Sequence, residues 1–129
     1  MSKNRPVRLG RTFLLELGPN EDILQSVEAA VAEHGIKSAV FLSGIGDLDC
    51  CKSHYAAKDE NGTYMDYPLQ WKHVPLTLSG VQGFIEKGRC HLHGVIGNDQ
   101  ECWTIHFHEG CTCLTNFRLV FAELLPEED

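Results

Sequence analysis

Two short histidine runs constrain the fold of this chain more than any other feature of its sequence. They are His91-Leu92-His93 and His106-Phe107-His108, which hold four of the seven histidines. Alternate side chains of a β-strand point to the same face, so each run presents two imidazoles together. The turn-forming segment Gly97-Asn98-Asp99 lies between the runs. This pattern predicts a β-hairpin that carries the four imidazoles.

The register of the hairpin decides which imidazoles meet. In one register His93 faces His106 across the strand pair. The same register then sets His91 against His108. A tighter turn at Asn98-Asp99 sets His91 against His106 instead. Both registers gather the imidazoles on one side of the sheet, and only a turn of odd length scatters them.

Imidazoles gathered in this way can hold a metal ion. A His-x-His pair and a third histidine from a neighbouring strand suffice for a divalent cation, most simply zinc, with one coordination position open. The alternative is that the histidines form the polar outer face of a half-buried hairpin. Three other histidines have no such partner in the sequence. We expect His34 to end a helix, where a cation suits the helix dipole, and we assign His54 and His73 no metal-binding role.

The composition is that of one soluble globular domain. The chain has 129 residues, of which 43% are hydrophobic and 22% charged. No apolar run approaches a membrane span and the N-terminus leads into no signal-peptide core, so we expect a cytoplasmic protein. The cysteines are then expected to be reduced and mostly buried. They are Cys50, Cys51, Cys90, Cys102, Cys111 and Cys113.

The charge balance disfavours direct binding to DNA. The formal net charge is −7 and the isoelectric point is about 5.4, and an acidic surface repels phosphate backbones. Basic residues cluster only at the N-terminus, at Lys3, Arg5, Arg8 and Arg11. We interpret that cluster as a solvated tail.

The order of predicted elements indicates an α+β domain with a largely antiparallel sheet of about seven strands and one main helix. A first strand runs from Arg11 to Leu17. The helix is expected to be capped by Asn20 and to end before Gly35. A buried strand at 39–42 is expected to end at Gly44-Ile45-Gly46, whose glycines indicate a turn or a close backbone approach. Further strands are predicted at 49–57, 63–67 and 76–84, in the histidine hairpin, and at 117–125.

We expect residues 11–125 to form the domain, with an N-terminal tail at 1–10 and an acidic tail at 126–129. So many strands with one helix leave a sheet face or edge to be covered, which oligomerisation could do. Trp71, Val74 and Leu76 are expected to lack cover within the chain.

Several motifs resemble those of one family, the stand-alone prokaryotic members of the plants-and-prokaryotes-conserved (PPC) domain. The resemblance covers about Arg11 to Leu125. It rests on Gly18 to Asp22, His34 to Ala39, Leu42-Ser43-Gly44-Ile45-Gly46, Leu76-Thr77-Leu78-Ser79-Gly80, His91-Leu92-His93, Gly97-Asn98-Asp99, and His106-Phe107-His108-Glu109-Gly110. The family usually has Gly-Gly before its third histidine, and Thr104-Ile105 stands there in this chain.

The resemblance implies a twisted antiparallel sheet, a homotrimer and, as in many prokaryotic members, a metal held by three histidines. Those are His91, His93 and His106, and a small-molecule ligand at the metal is compatible with this set. His108 stands where an apolar residue is usual. His108 could be a fourth ligand, a group that supports the ligands, or a surface residue, and we favour the last two. Glu109 could also support the ligands.

The sequence leaves two other functions open. A zinc-dependent enzyme would need a base near the metal, and Glu101 and Glu109 are the nearest carboxylates in the sequence. Glu109 follows His108, so it should point away from the imidazoles. A DNA-associated or transcriptional interaction module, as the family label suggests, would need a basic face. The AT-hook of plant members is absent, since Asn4-Arg5-Pro6 is only a fragment of it.

Overall fold

A computed structural model describes residues 1–127. The last two residues of the expected acidic tail, Glu128 and Asp129, lie outside the described residues. The elements are β1 (Val7–Leu17), α1 (Ile23–Glu33), β2 (Ser38–Lys58), β3 (Tyr64–Trp71), β4 (Leu76–Glu86), β5 (Arg89–Gly97), β6 (Cys102–His106) and β7 (Thr112–Pro126).

The strands form one antiparallel sheet in the order β1-β7-β2-β4-β5-β6, with β3 paired to β2. This confirms the predicted α+β class and its strand count. Strand β1 begins at Val7, inside the segment 1–10 that was expected to be a tail, and it pairs with β7. No helix within residues 1–127 is long and apolar enough to span a membrane.

The helix starts later than the sequence predicts. Asp22 is the N-cap, and its side chain accepts a hydrogen bond of 3.0 Å from the backbone N–H of Gln25. The prediction that Asn20 caps the helix is therefore wrong. The Asn20 N–H donates to the carbonyl of Cys113, so this segment pairs with β7 before the helix can begin. Gly35 follows the helix with φ of 63°, as predicted.

One face of α1 closes the core over the sheet. Ile23, Val27 and Val31 are buried, as their helical spacing predicts. The sheet side of this core includes Leu48, Leu78, Ile96, Phe117 and Phe121.

Strand β2 does not end at its glycines, contrary to the sequence prediction. It continues through Gly44 and Gly46 to Lys58. A Cβ atom at Gly44 would lie 2.7 Å from a methyl group of Leu119, and one at Gly46 would lie 2.7 Å from the backbone oxygen of Asn116. The glycines therefore permit close approach to β7, which is one of the two roles expected for them. The other expectation, a turn, is wrong.

The apolar cover also differs from expectation. Leu76 is 1% exposed, and Trp71 and Val74 pack against the core. The loop between β3 and β4 contacts β2, where the Val74 N–H donates to the Asp49 carbonyl over 3.1 Å. Leu42, expected in a buried strand, is exposed. The exposed large apolar side chains of the sheet include Leu9, Leu14, Leu42, Ile45 and Phe84.

Candidate metal centre

The turn of the histidine hairpin has four residues between the paired positions Gly97 and Cys102. Its conformation is fixed by Asn98, whose side-chain oxygen accepts from the backbone N–H groups of Gln100 and Glu101 at 2.9 and 3.0 Å. The even length of this turn keeps the histidines of both strands on one face.

His93 lies directly opposite His106 in this register, as one of the two sequence alternatives predicted. The second pairing of that alternative, His91 with His108, is wrong because β6 ends at His106. Phe107 is buried at 1% exposure, and its N–H donates to a carbonyl of β5 over 2.9 Å. His108 lies beyond the end of β6, and its ring contacts His54 of β2 instead.

The structure brings His91, His93 and His106 together. The Nε2 atoms of His91 and His93 are 3.0 Å apart, and Nε2 of His93 is 3.2 Å from Nδ1 of His106. The three ring centroids form a nearly equilateral triangle with sides of 5.0, 4.9 and 4.9 Å. The strand repeat places the first two rings, and the facing strand supplies the third.

This spacing fits a zinc ion. Zinc–nitrogen bonds of about 2.0–2.1 Å at tetrahedral angles place ligand nitrogens roughly 3.3–3.4 Å apart. The backbone of His106 is fixed as well, since its N–H donates to the hydroxyl of the buried Ser53 over 2.9 Å. The chemistry of the donor set and its geometry therefore agree.

The local environment favours the neutral form of two of the three imidazoles. Burial, which is the largest cause, and the nearby His108, His93, His91 and His54 together lower the pKa of His106 to about 4. Burial and the neighbouring His91 and His54 also lower the pKa of His93. Neutral imidazole is the form that binds a metal.

Two further imidazoles adjoin this group. His54 Nδ1 is hydrogen-bonded to His108 Nε2, and the two ring centroids are 4.5 Å apart. His106 lies between the two groups, with its ring centroid 5.1 Å from that of His54 and 4.8 Å from that of His108. His54 Nε2 is 3.9 Å from a carboxylate oxygen of Asp66. The five rings form one cluster on the face of the sheet.

Sequence reasoning missed His54. The expectation that it lacks a partner is wrong, because β2 approaches β6 at Ser53, which accepts a hydrogen bond from the backbone of His106, and this brings position 54 to the hairpin. Residues 54 and 108 are far apart in the chain, so no local spacing reveals their contact.

The carboxylates considered as bases lie elsewhere. Glu101 accepts a hydrogen bond of 2.7 Å from the indole N–H of Trp71. Glu109 is exposed in the turn after β6. Among the described residues, the ligand atoms of His91, His93 and His106 lie within 4.8 Å of one another, and no carboxylate belongs to this group.

A groove of about 500 Å³ borders two of the candidate ligands. Its lining consists of three glycines and two valines together with His91, His93, Phe84, Gln82 and Thr104, and it contains no acidic residue. The groove offers a surface for a small molecule, but it has no carboxylate side chain that could act as a base.

Comparison with known families decides the classification. The model of the Plants and Prokaryotes Conserved (PCC) domain matches residues 4–125. The chain belongs to this family. It is the PPC family whose motifs the sequence resembles.

Two solved structures support the assignment of the PPC fold. The metal-containing protein from Archaeoglobus fulgidus is 25% identical with a TM-score of 0.77, and the match covers 98% of this chain and 88% of that one. A plant- and prokaryote-conserved protein from Pyrococcus horikoshii is also 25% identical, with a TM-score of 0.76 and coverage of 98% and 87%.

A curated relative is much longer than this PPC chain. The bifunctional protein GlmU of a Synechococcus strain is 28% identical over 116 residues, which is 89% of this chain and 17% of that protein. The chain therefore spans about a sixth of that relative's length.

Proposed function

We propose that this PPC-domain protein binds a divalent metal, zinc, through His91, His93 and His106. The observation that carries the proposal is the convergence of three imidazole nitrogens within 4.8 Å of one another, with two of the distances, 3.0 and 3.2 Å, near the spacing of zinc ligands. The similar protein from Archaeoglobus fulgidus is described as metal-containing, which supports a metal in this fold.

Three neutral ligands leave one coordination position and the full charge of the cation available. When bound, the cation would supply Lewis acidity at that position. The groove beside His91 and His93 would then hold a small molecule against the metal, with Phe84 packing on its apolar part and Gln82 offering hydrogen bonds. Because no carboxylate lines this groove, we favour ligand binding over acid–base catalysis.

A zinc-dependent enzyme is a second candidate, which the His54–His108 pair favours. These imidazoles lie beside His106 and are hydrogen-bonded to each other, so they could accept a proton from a substrate. An assay with activated ester and phosphoester substrates separates the candidates. An enzyme would lose turnover in His108→Ala while keeping its metal, whereas a binding protein would show no turnover that depends on His108.

Metal analysis of the purified protein tests the main proposal. The variant with His91, His93 and His106 all replaced by Ala should carry one zinc ion fewer per chain than the wild type. His34→Gln, which changes a histidine at the end of α1, is the matched control and should keep the wild-type content. Equal zinc in the triple variant and the wild type would refute the site.

A further inference from the structure

A second group of metal-binding side chains lies outside the histidine cluster. It consists of Asp49 and Cys50 of β2 and His73 of the loop between β3 and β4. Nδ1 of His73 is 3.2 and 3.3 Å from the two carboxylate oxygens of Asp49, and 3.8 Å from Sγ of Cys50. One ligand atom from each residue lies within 4.8 Å of the others.

Two irregularities of the backbone bring these side chains together. Consecutive residues of a regular strand point to opposite faces, so Asp49 and Cys50 would normally diverge. The register of β2 against β7 slips between Leu48 and Cys50, and such bulges re-aim side chains. His73 has φ of 55°, a conformation that is uncommon outside glycine and recurs at functional sites.

The contacts do not have the form of a proton relay. In a Cys-His-Asp relay the acid and the thiol bind different nitrogens of the imidazole ring. Here the carboxylate and the thiol both approach the same nitrogen, Nδ1 of His73. A carboxylate and a thiol that both approach one imidazole nitrogen, with one ligand atom of each residue within 4.8 Å of the others, are compatible with three ligands around a shared cation.

We propose that Asp49, Cys50 and His73 bind a second divalent cation of the thiophilic class, such as zinc. With metal bonds of about 2.0–2.2 Å to nitrogen and oxygen and 2.3 Å to sulfur, tetrahedral ligands lie roughly 3.3–3.6 Å apart, close to the contacts observed. The thiolate disfavours Mg²⁺ and Ca²⁺, which take oxygen ligands.

The two sites differ in charge and therefore in role. The thiolate and the carboxylate together neutralise a divalent cation, whereas the three histidines leave its charge intact. The His73 side chain is 69% exposed, so water can complete the coordination. Within the described residues β3 pairs only with β2. An ion that joins β2 to the loop after β3 therefore fastens the β2–β3 hairpin to the sheet.

Cobalt substitution tests this site independently of the histidine cluster. A thiolate ligand gives Co²⁺ an intense near-ultraviolet charge-transfer absorption that imidazole ligands do not give. We expect this absorption in the wild type and also in the variant with His91, His93 and His106 replaced by Ala. It should be lost in Cys50→Ser and retained in Cys102→Ser, which changes the exposed cysteine of β6.

A second variant guards against misfolding. His73→Asn removes the imidazole, and asparagine tolerates the positive φ of this position. It should weaken cobalt binding at the thiolate site at least tenfold while circular dichroism stays unchanged. The proposal is overturned if the triple histidine variant lacks the absorption, or if Cys50→Ser retains it. Failure of the three-histidine site to bind zinc would not change the cobalt–thiolate absorption, so each of the two proposed sites can be refuted without the other.

Discussion

His93 and His106 lie directly opposite each other on β5 and β6, with Nε2 of the first 3.2 Å from Nδ1 of the second. This pair joins the two strands of the candidate site. The hairpin turn sets it, because four turn residues keep both histidines on the same face. A turn one residue longer or shorter would place His106 on the opposite face from His93.

The pH dependence of metal affinity should reflect the lowered pKa values. Metal must compete with protons for each imidazole. Because the pKa of His106 is about 4, this ligand releases almost no proton on binding between pH 7 and 6. The pKa of His93 is also lowered, so His93 releases fewer protons there than an ordinary histidine with a pKa of about 6.5. Affinity measured by competition with a chelator should therefore fall less steeply between pH 7 and 6 than for three ordinary histidines. A dependence as steep as that of three histidines with the ordinary pKa would contradict this.

Replacing His108 should change the titration of His106. Burial is the main cause of the lowered pKa of His106, and the charge of His108 is the next. In metal-free His108→Ala the pKa of His106 should rise toward the ordinary histidine value, which NMR of the imidazole protons can follow. His34→Gln is the control and should leave it unchanged. An unaltered value in His108→Ala would show that the two rings are not coupled.

Gly83 should tolerate no side chain. A Cβ atom there would lie 2.1 Å from the carbonyl oxygen of His91, so Gly83→Ala must push β5 from β4 and displace a candidate ligand. We expect a loss of about 1–3 kcal/mol in the free energy of unfolding by denaturant titration, with weaker zinc binding. Gly80 is the matched control, because a Cβ atom there meets nothing within 4 Å. Gly80→Ala should change stability by less than about 0.5 kcal/mol.

The protein should associate in solution as a homotrimer. Apolar side chains as large as Ile45 and Leu14 are 63% and 57% exposed on the single chain, and association would cover such surface. The PPC resemblance, rather than this exposure, selects three subunits. Light scattering at micromolar concentration should give about three times the chain mass of 14.4 kDa. A stable monomer would refute this.

Duplex DNA should not bind this protein at physiological salt. The net charge is −7, and phosphate contacts require clustered Lys and Arg. Electrophoretic mobility of a labelled duplex should remain unchanged at micromolar protein. A shift that weakens steeply as salt is raised would instead support the DNA-associated function.

The sequence predicted those parts of the site that depend on local periodicity. The spacing of His91 and His93 is that of a strand, and Asn98 marks the turn, so the register alternatives followed directly. The fold class and the end of α1 at Gly35 were predictable for the same reason.

Other parts depend on contacts between distant segments and were not predictable. The contact of His54 with His108 arises because β2 and β6 meet in the folded sheet. The start of α1 was misplaced because tertiary pairing of Asn20 with β7 overrides its capping preference. The convergence of Asp49 with His73 requires a bulge and a left-handed residue, neither of which the local sequence indicates.

The central claim is tested most directly by locating the metal. Diffraction data from zinc-loaded crystals, collected on both sides of the zinc absorption edge, identify the element and its position. We predict an anomalous peak about 2.0–2.1 Å from one nitrogen each of His91, His93 and His106. Zinc-loaded crystals with ordered density for these three rings and no anomalous peak between them would contradict the account.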